Sequence, residues 1–551
     1  MLHSSLRFAT RAPSEPVAIH PQAFLPVGLI AHDVDTGTGF GDSATARRPA
    51  LSIDALPSLG SLDGTASADQ AAQRIMQFLG RKAFDDALAA SIELTRSAPA
   101  NPIGYNLLGA SYGGKGDLVK ARESFEQALR IQPKYIPALM NLGQLDLKQR
   151  NLAGARSRYQ AILAIDAHDP RAMLGMASAD VLEGNERSAR EWLEHAKRDQ
   201  PKVLAPRLLL AVLDMRKKAF ASAIAGLKAA RDIEPTNIEV LELLGDAQGA
   251  AGEHADAIET YKAIVAQQPK SLRAHRQLAS AYERAGSLNL AEAELRLSLQ
   301  IQPNDRDTIA LAYLALKASR YGDATRLADG IRRSSPAAAA VLDGDIAARQ
   351  NRFRDAAVSY EKAFVAKPAG SVVAKLHFAR TRSGNAKQAD ADAERWVSEH
   401  PRDTGLRHYL AAEYLNAGRK AEAIKHYEAI VDAAPRDVLA LNNLAALYQS
   451  VGDSRALATA EKAYQIAPSS PIVGDTLGWV LVKQGGVTRG LPLLQKAETS
   501  DPRSPVFQYH VAAGLAVAGQ RNEARRKLQG LLDNPTEFPE RAEAEQLLKR
   551  L

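Results

Sequence analysis

The stretch that decides the fold is Tyr105-x-x-Leu108-Gly109-x-x-Tyr112, followed by Ala121-x-x-x-Phe125, Ala128-Leu129 and Pro133. Gly109 and Ala121 are small, so two helices can approach closely where they cross, and the larger side chains fill the space around them. Gly114 and Gly116 are expected to break the first helix. Pro133 ends the second because it has no N–H to donate. The stretch therefore predicts a pair of antiparallel helices.

The same unit recurs along the chain. The closing prolines fall about 34 residues apart, with one double interval in which the proline is replaced near Ala167: Pro99, Pro133, Pro201, Pro235, Pro269, Pro303, Pro336, Pro368, Pro401, Pro435, Pro468, Pro502 and Pro535. The small residue at the crossing and a turn glycine recur in the same register. This repetition resembles the tetratricopeptide repeat family over residues 67–535. It predicts an all-α, right-handed superhelix (an α-solenoid) of about 14 helix–turn–helix repeats.

Three segments follow from this pattern. Residues 1–64 contain six prolines and a glycine cluster with no helical period, which predicts a disordered or irregular leader. Residues 65–536 form the predicted superhelix. Residues 537–551 carry polar side chains on one face and predict a helix that caps the last repeat, because a solenoid must shield its final apolar surface.

Composition excludes several classes of function. The formal net charge of +7 is spread over 551 residues, which is too dilute to indicate nucleic-acid binding. The absence of Cys excludes disulfides, thiol nucleophiles and Cys-ligated zinc. No apolar run reaches the length of a transmembrane helix. No signal peptide is visible, because Pro26 and Gly28 interrupt the apolar run nearest the start.

The sequence predicts neither a catalytic site nor a metal site. Ser111 lies in a Gly-x-Ser-x-Gly sequence, but it falls on a repeat helix, whereas a nucleophile elbow follows a strand. His400, His408 and His426 are the densest His group, and each is better explained as a helix end or an exposed face. We therefore expect a protein that is not an enzyme and has no cofactor and no metal.

Binding is expected on the face that the first helix of each repeat lines. The residue five positions after the Gly109-type site is Lys or Arg in seven repeats and acidic in none. With neighbouring basic residues, this predicts a basic groove that binds an acidic peptide or an anionic polymer, through Arg273, Arg276, Arg284, Arg306, Lys317, Arg349 and Arg382. The helix dipole offers an alternative explanation, since it favours cations in the last turn of any helix.

Aromatic residues predict a second contact region. Tyr448, Trp479 and Tyr509 fall on successive first helices and could form a shelf for a peptide or a sugar ring. Tyr448 has the same repeat position as Tyr112, which is assigned to packing.

The C-terminal repeats show a narrower resemblance. Its motifs are Leu441-Asn442-Asn443-Leu444-Ala445, Gly452-Asp453-Ser454-Arg455-Ala456 and Asp475-Thr476-Leu477-Gly478-Trp479. They are similar to the TPR lipoprotein of the PEP-CTERM/exosortase system. The resemblance implies a periplasmic or membrane-associated scaffold in bacterial envelope or exopolysaccharide assembly, with a protein partner. The sequence departs from that family in having no lipobox Cys. The alternative is a cytoplasmic adaptor that recognises an acidic peptide or an anionic polymer.

Overall fold

The computed structural model describes residues 66–534 and 538–551, so the predicted leader lies outside the described residues. These two ranges form 29 α-helices and no strand. The chain divides between Gln302 and Pro303 into two compact units.

The first unit contains seven helical hairpins. Its helices are α1 (Ala66–Gly80), α2 (Phe84–Ser97), α3 (Pro102–Lys115), α4 (Leu118–Ile131), α5 (Ile136–Lys148), α6 (Leu152–Leu163), α7 (Pro170–Glu183), α8 (Glu186–Asp199), α9 (Ala205–Arg216), α10 (Phe220–Ile233), α11 (Ile238–Ala251), α12 (His254–Gln267), α13 (Leu272–Arg284) and α14 (Leu288–Ile301).

The second unit contains seven further hairpins and a final helix. Its helices are α15 (Asp305–Lys317), α16 (Tyr321–Gly330), α17 (Pro336–Arg349), α18 (Phe353–Ala366), α19 (Gly370–Arg382), α20 (Ala386–Glu399), α21 (Thr404–Asn416), α22 (Lys420–Ala433), α23 (Val438–Val451), α24 (Ala456–Ile466), α25 (Pro471–Lys483), α26 (Val487–Ser500), α27 (Pro505–Val517), α28 (Arg521–Leu532) and α29 (Arg541–Arg550). The two units together confirm the prediction of an all-α repeat fold with about fourteen hairpins.

Local chemistry sets the bounds of the first quoted hairpin. The Asn101 side chain accepts a hydrogen bond from the N–H of Ile103 and so caps the start of α3. Gly116 ends α3 in the left-handed region, with φ of 85°. The prediction that Gly114 also breaks this helix was wrong. Gly114 lies inside α3, where its missing side chain makes room for the ring of Phe84.

Every hairpin turn of the described chain holds one residue with positive φ, at intervals of 32 to 34 residues. Nine of these residues are glycines, and the other five are Lys82, Arg150, Lys218, Ser319 and Asn351. A side chain in this region costs about 1–2 kcal/mol, which glycine avoids. The turn geometry is therefore more regular than the glycine pattern, since five turns adopt it without glycine.

The predicted close crossing of the two helices is present. A Cβ atom added at Gly109 would lie 2.5 Å from Cε1 of Phe125 and 3.0 Å from the carbonyl oxygen of Ala121. Phe125 is buried against this site, and Ala121 and Leu107 share its core. The glycine is thus required by packing, because its backbone approaches the neighbouring helix more closely than any side chain allows.

We expect Gly109→Ala to lower the free energy of unfolding by about 1–3 kcal/mol, because the new methyl group must displace Phe125. The matched control is Gly226→Ala in α10, where nothing lies within 4 Å of the added Cβ. That variant is expected to be more stable than the wild type by about 0.5–1 kcal/mol. Urea denaturation followed by circular dichroism measures both. Equal effects of the two substitutions would contradict the packing explanation.

Candidate functional site

The predicted basic residues mostly stand at helix ends. Arg284, Lys317, Arg349 and Arg382 are the last residues of α13, α15, α17 and α19, and all four are exposed. Because the C-terminal end of a helix carries partial negative charge, this placement stabilises each helix by a few tenths of a kcal/mol to about 1 kcal/mol. The dipole therefore accounts for the positions of these residues. Whether these residues can also bind a ligand depends on the ion pairs they already form.

In the first unit, the predicted basic residues are Arg273, Arg276 and Arg284, and Arg273 lies beside a carboxylate. Arg273 is exposed and forms an ion pair with Glu242 of α11. The Arg284 side chain packs on α11 at Gly249. A Cβ atom added to that glycine would lie 3.1 Å from Nη1 of Arg284. Arg276 is half-buried on α13. The charge here is mixed, which the spacing pattern missed because Glu242 and Arg273 lie on different helices.

In the second unit, the basic residues differ in their surroundings. Arg306, the second residue of α15, is exposed, as is Lys317 at the end of that helix. Arg349 and Arg382 are exposed as well, and in the part of this unit that the structure describes neither forms an ion pair. The guanidinium carbon of Arg382 lies 5.5 Å from the ring centroid of Phe378. Arg349 and Arg382 thus keep their hydrogen-bond donors available to a ligand.

A buried polar network lies close to these residues and was not predicted. Nζ of Lys375 donates to Oδ1 of Asp345 over 2.8 Å, and the Lys375 side chain is fully buried. The hydroxyl groups of Tyr360 and Tyr313 donate to the same carboxylate over 2.6 and 3.0 Å. Burial and the charge of Asp345 raise the pKa of Tyr360 well above its usual value. The network joins three successive hairpins. The feature of the sequence that could have indicated it is a Lys among the apolar residues of α19.

The predicted aromatic shelf is not an exposed row of rings. Tyr448 is only 3% exposed, its hydroxyl donates to Glu428, and the guanidinium of Arg455 covers its ring at 4.2 Å. Tyr509 is also buried, at 5% exposed. Trp479 is half-buried and stacks on His510, with ring centroids 4.0 Å apart. Packing inside the repeats thus uses Tyr448 and Tyr509, and Trp479 is the most accessible of the three.

The three clustered histidines have separate partners. His400 stacks on Trp396, His408 pairs with Asp437 over 2.9 Å, and His426 pairs with Glu394 over 2.9 Å. Over residues 66–534 and 538–551, no group of three His, Asp or Glu side chains could hold a metal ion. The hydroxyl of Ser111 is buried, donates to the carbonyl of Leu107 and lies 3.2 Å from the hydroxyl oxygen of Ser91 on α2, so it belongs to the packing of α2 and α3.

The fold defines a class of protein built from stacked helical hairpins, and two family models match this chain. One model described as tetratricopeptide repeat matches residues 114–171, 146–213 and 214–271, and a second with the same description matches residues 78–136, 243–306 and 410–471. Together the matches cover slightly more than half of the chain. The chain is a tetratricopeptide repeat protein.

Two curated relatives match short stretches of the chain. The uncharacterized protein ycf37 of Pyropia yezoensis is 35% identical over 68 residues, which are 12% of this chain and 38% of that protein. The chloroplastic tetratricopeptide repeat domain-containing protein PYG7 of Arabidopsis thaliana is 35% identical over 65 residues, which are 12% of this chain and 22% of that protein. The chain thus matches well under two thirds of the length of either relative.

Solved structures of low identity are also similar. Yeast Tom70 is 14% identical with a TM-score of 0.34, and the match covers 88% of this chain and 95% of that chain. The Cut9–Hcn1 hetero-tetramer of APC/C gives 13% identity, a TM-score of 0.38 and coverage of 88% and 96%. In the present chain, no helix between 66 and 534 or between 538 and 551 has the length and apolar character to cross a membrane.

We expect Asp345→Ala to lower the free energy of unfolding by about 3–5 kcal/mol, because it leaves the charge of Lys375 buried without a partner. The double variant Asp345→Ala/Lys375→Met removes that charge and should recover more than half of the loss. Tyr360→Phe, which removes one of the two phenol donors, should cost about 1 kcal/mol. Urea denaturation of the four proteins measures these differences. A double variant no more stable than Asp345→Ala would show that the buried charge is not the cause.

Proposed function

We propose that the chain is a non-catalytic protein-interaction scaffold whose second unit binds an acidic segment of a partner protein. The observation that carries the proposal is the pair Arg349 and Arg382, exposed and without ion pairs in the described part of their unit. They end the first helices of two successive hairpins, α17 and α19, and so occupy equivalent repeat positions.

The chemistry of the two side chains favours carboxylate ligands. A guanidinium offers several N–H donors in a planar fork that matches a carboxylate, and such charge-assisted hydrogen bonds are roughly twice as strong as neutral ones. Lys317 ends the preceding first helix, α15, and adds a third cation to this row. Repeat packing fixes the helix ends and so holds these groups at set distances. This favours binding because little conformational entropy is lost when the ligand binds.

The proposed setting is envelope or exopolysaccharide assembly in bacteria. Its support is the similarity of the C-terminal repeats, with their Asn442-Asn443-Leu444-Ala445 and Asp475-Thr476-Leu477-Gly478-Trp479 motifs, to the TPR lipoprotein of the exosortase system. Under this proposal the chain is periplasmic or membrane-associated. A cytoplasmic adaptor with the same acidic partner is the alternative.

We expect Arg349→Glu/Arg382→Glu to weaken binding of fluorescein-labelled hexaglutamate at least about tenfold, because two favourable charges become repulsive. Fluorescence anisotropy at low and moderate salt measures the affinity, which should fall as salt increases. The control is Lys387→Glu/Arg395→Glu, which makes the same change of net charge at exposed positions of α20.

The control variant should bind as the wild type does. An equal loss of affinity in both variants would show that only the net charge of the chain matters, and would overturn the proposed site. Binding of alginate, an anionic polysaccharide, without binding of hexaglutamate would replace the protein partner with a polymer.

A separate experiment tests the proposed setting. Fractionation of native cells followed by immunoblotting should place the chain in the periplasmic or membrane-associated fraction, because exopolysaccharide assembly takes place there. Markers for the cytoplasm and periplasm provide the control. A purely cytoplasmic pool would overturn the envelope setting and leave the acidic-peptide adaptor.

A further inference from the structure

The chain's own C-terminal segment, residues 538–551, packs against the last repeats. Phe538 is buried, and its ring centroid lies 6.5 Å from that of Tyr509. Leu547, Leu548 and Leu551 pack against the same apolar core. Arg541 donates to the carbonyl oxygens of Leu532 and Asn534, over 3.0 and 2.9 Å, and so holds the start of α29 to the end of α28. The segment covers part of the predicted aromatic shelf.

Five side chains of α25 and α27 form the surface under this segment, and we call them the seat: Asp475, Trp479, Lys483, Tyr509 and His510. The Trp479 ring contacts Lys483, whose Nζ lies 4.4 Å from the ring centroid, and stacks on His510. His510 pairs through Nδ1 with Oδ2 of Asp475 over 2.8 Å, and both residues are buried. The seat thus combines an aromatic surface with a buried ion pair and a Lys.

The segment brings two further carboxylates to the seat. Glu540 and Glu543 each have a buried oxygen, Oε2, that has no hydrogen-bond partner among the described residues, as does Asp475 at Oδ1. Three carboxylates with unpaired buried oxygens thus meet here, and one of them, Asp475, is the partner of His510. Such groups are costly to bury as anions, so proton binding can decide whether the segment stays packed.

Burial raises the pKa of Glu540 to about 7, helped by Asp475 and Glu543 and opposed by His510. Burial by itself would lower the pKa of His510, but Asp475 outweighs it and the pKa stands above its usual value. Burial lowers the pKa of Lys483, and Glu543 opposes that effect. Burial also raises the pKa of Tyr509 above its usual value, and Glu543 and Glu540 add to that effect. With Tyr509 included, these are the charged and titratable groups that face Glu540 and His510 from α25, α27 and the segment.

Rising pH weakens packing of the segment through both Glu540 and His510. Glu540 binds its proton more tightly when packed, so packing is fully favoured below its ordinary pKa of 4.5 and weakens as pH rises toward about 7. The His510 pKa is also raised, so the stability of its protonated pair with Asp475 is lost as pH rises through that pKa. Rising pH therefore loosens the segment through two groups at once.

We propose that residues 538–551 are a pH-responsive cover that closes the seat in mildly acidic solution and loosens as pH rises through neutrality. Loosening exposes Trp479 and Tyr509 to a partner segment that presents an aromatic side chain and carboxylates, as Phe538, Glu540 and Glu543 do. This surface is separate from Arg349 and Arg382 and does not depend on the acidic ligand proposed for them.

Hydrogen exchange of the full chain tests the proposal. Exchange of the amides of residues 538–551 is followed by mass spectrometry from about pH 5.5 to 8.5 and corrected for intrinsic rates. Protection should fall about ten- to hundredfold across this range in the wild type. In Glu540→Gln, which cannot ionise at this position, the pH dependence should fall to the part that His510 supplies. Glu523→Gln, at an exposed position of α28, is the control and should behave as the wild type.

A second readout follows the seat itself. In a Trp192→Phe/Trp396→Phe background, Trp479 is the remaining tryptophan, and acrylamide quenching of its emission should increase with pH. Phe538→Ala should raise quenching at every pH, with unchanged helical content by circular dichroism. Protection and quenching that do not change with pH, or a Glu540→Gln variant with the wild-type pH dependence, would overturn the proposal.

Discussion

The close crossing of the two helices in each hairpin is the constraint on which the rest of the fold depends. A small residue on the first helix meets a ring or a branched side chain from the second: Gly109 with Phe125, Gly143 with Tyr159, Gly245 with Tyr261, Gly344 with Tyr360 and Gly478 with Leu494. At each crossing a Cβ atom would lie closer to its neighbour than packed atoms allow. The crossing therefore fixes which residues face inward, and the stacking of hairpins follows from it.

Buried charge is used mainly to join one hairpin to the next. In the first unit, Arg122 pairs with Asp146, and the same pair recurs 34 residues later as Arg156 with Asp180 and again as Arg190 with Asp214. In each case the Arg lies on a second helix and the Asp on the next first helix. Removing one partner would leave the other charge uncompensated, so these pairs make stacking specific.

The second unit uses tyrosine for a related purpose. The hydroxyl groups of Tyr414 and Tyr448 donate to Glu394 and Glu428, each 20 residues earlier, and an Arg covers each ring at 4.2 Å. Hydrogen bonds from His426 and Lys425 lower the pKa of Glu394 to about 2, with the His426 bond the larger effect. These polar residues are thus committed to stacking. This leaves Arg349, Arg382 and the region of Trp479 as the surfaces on which binding is proposed.

The sequence by itself determined the helical class, the number of hairpins and the close crossings, because these depend on patterns repeated every 34 residues or so and on spacings within one hairpin. Only the tertiary structure decided which polar and aromatic residues are buried. Lys375 lies within an apolar stretch, and its partner Asp345 is 30 residues away on another helix. Tyr448 and Tyr509 lie on first helices, where exposed rings were expected, yet Arg455 covers one and Phe538 packs against the other. The Lys375–Asp345 contact joins two repeats and Phe538 comes from beyond the last hairpin, so the spacing within one repeat carries no information about either. The Arg455–Tyr448 contact lies within one hairpin, but it depends on the side-chain conformation of Arg455.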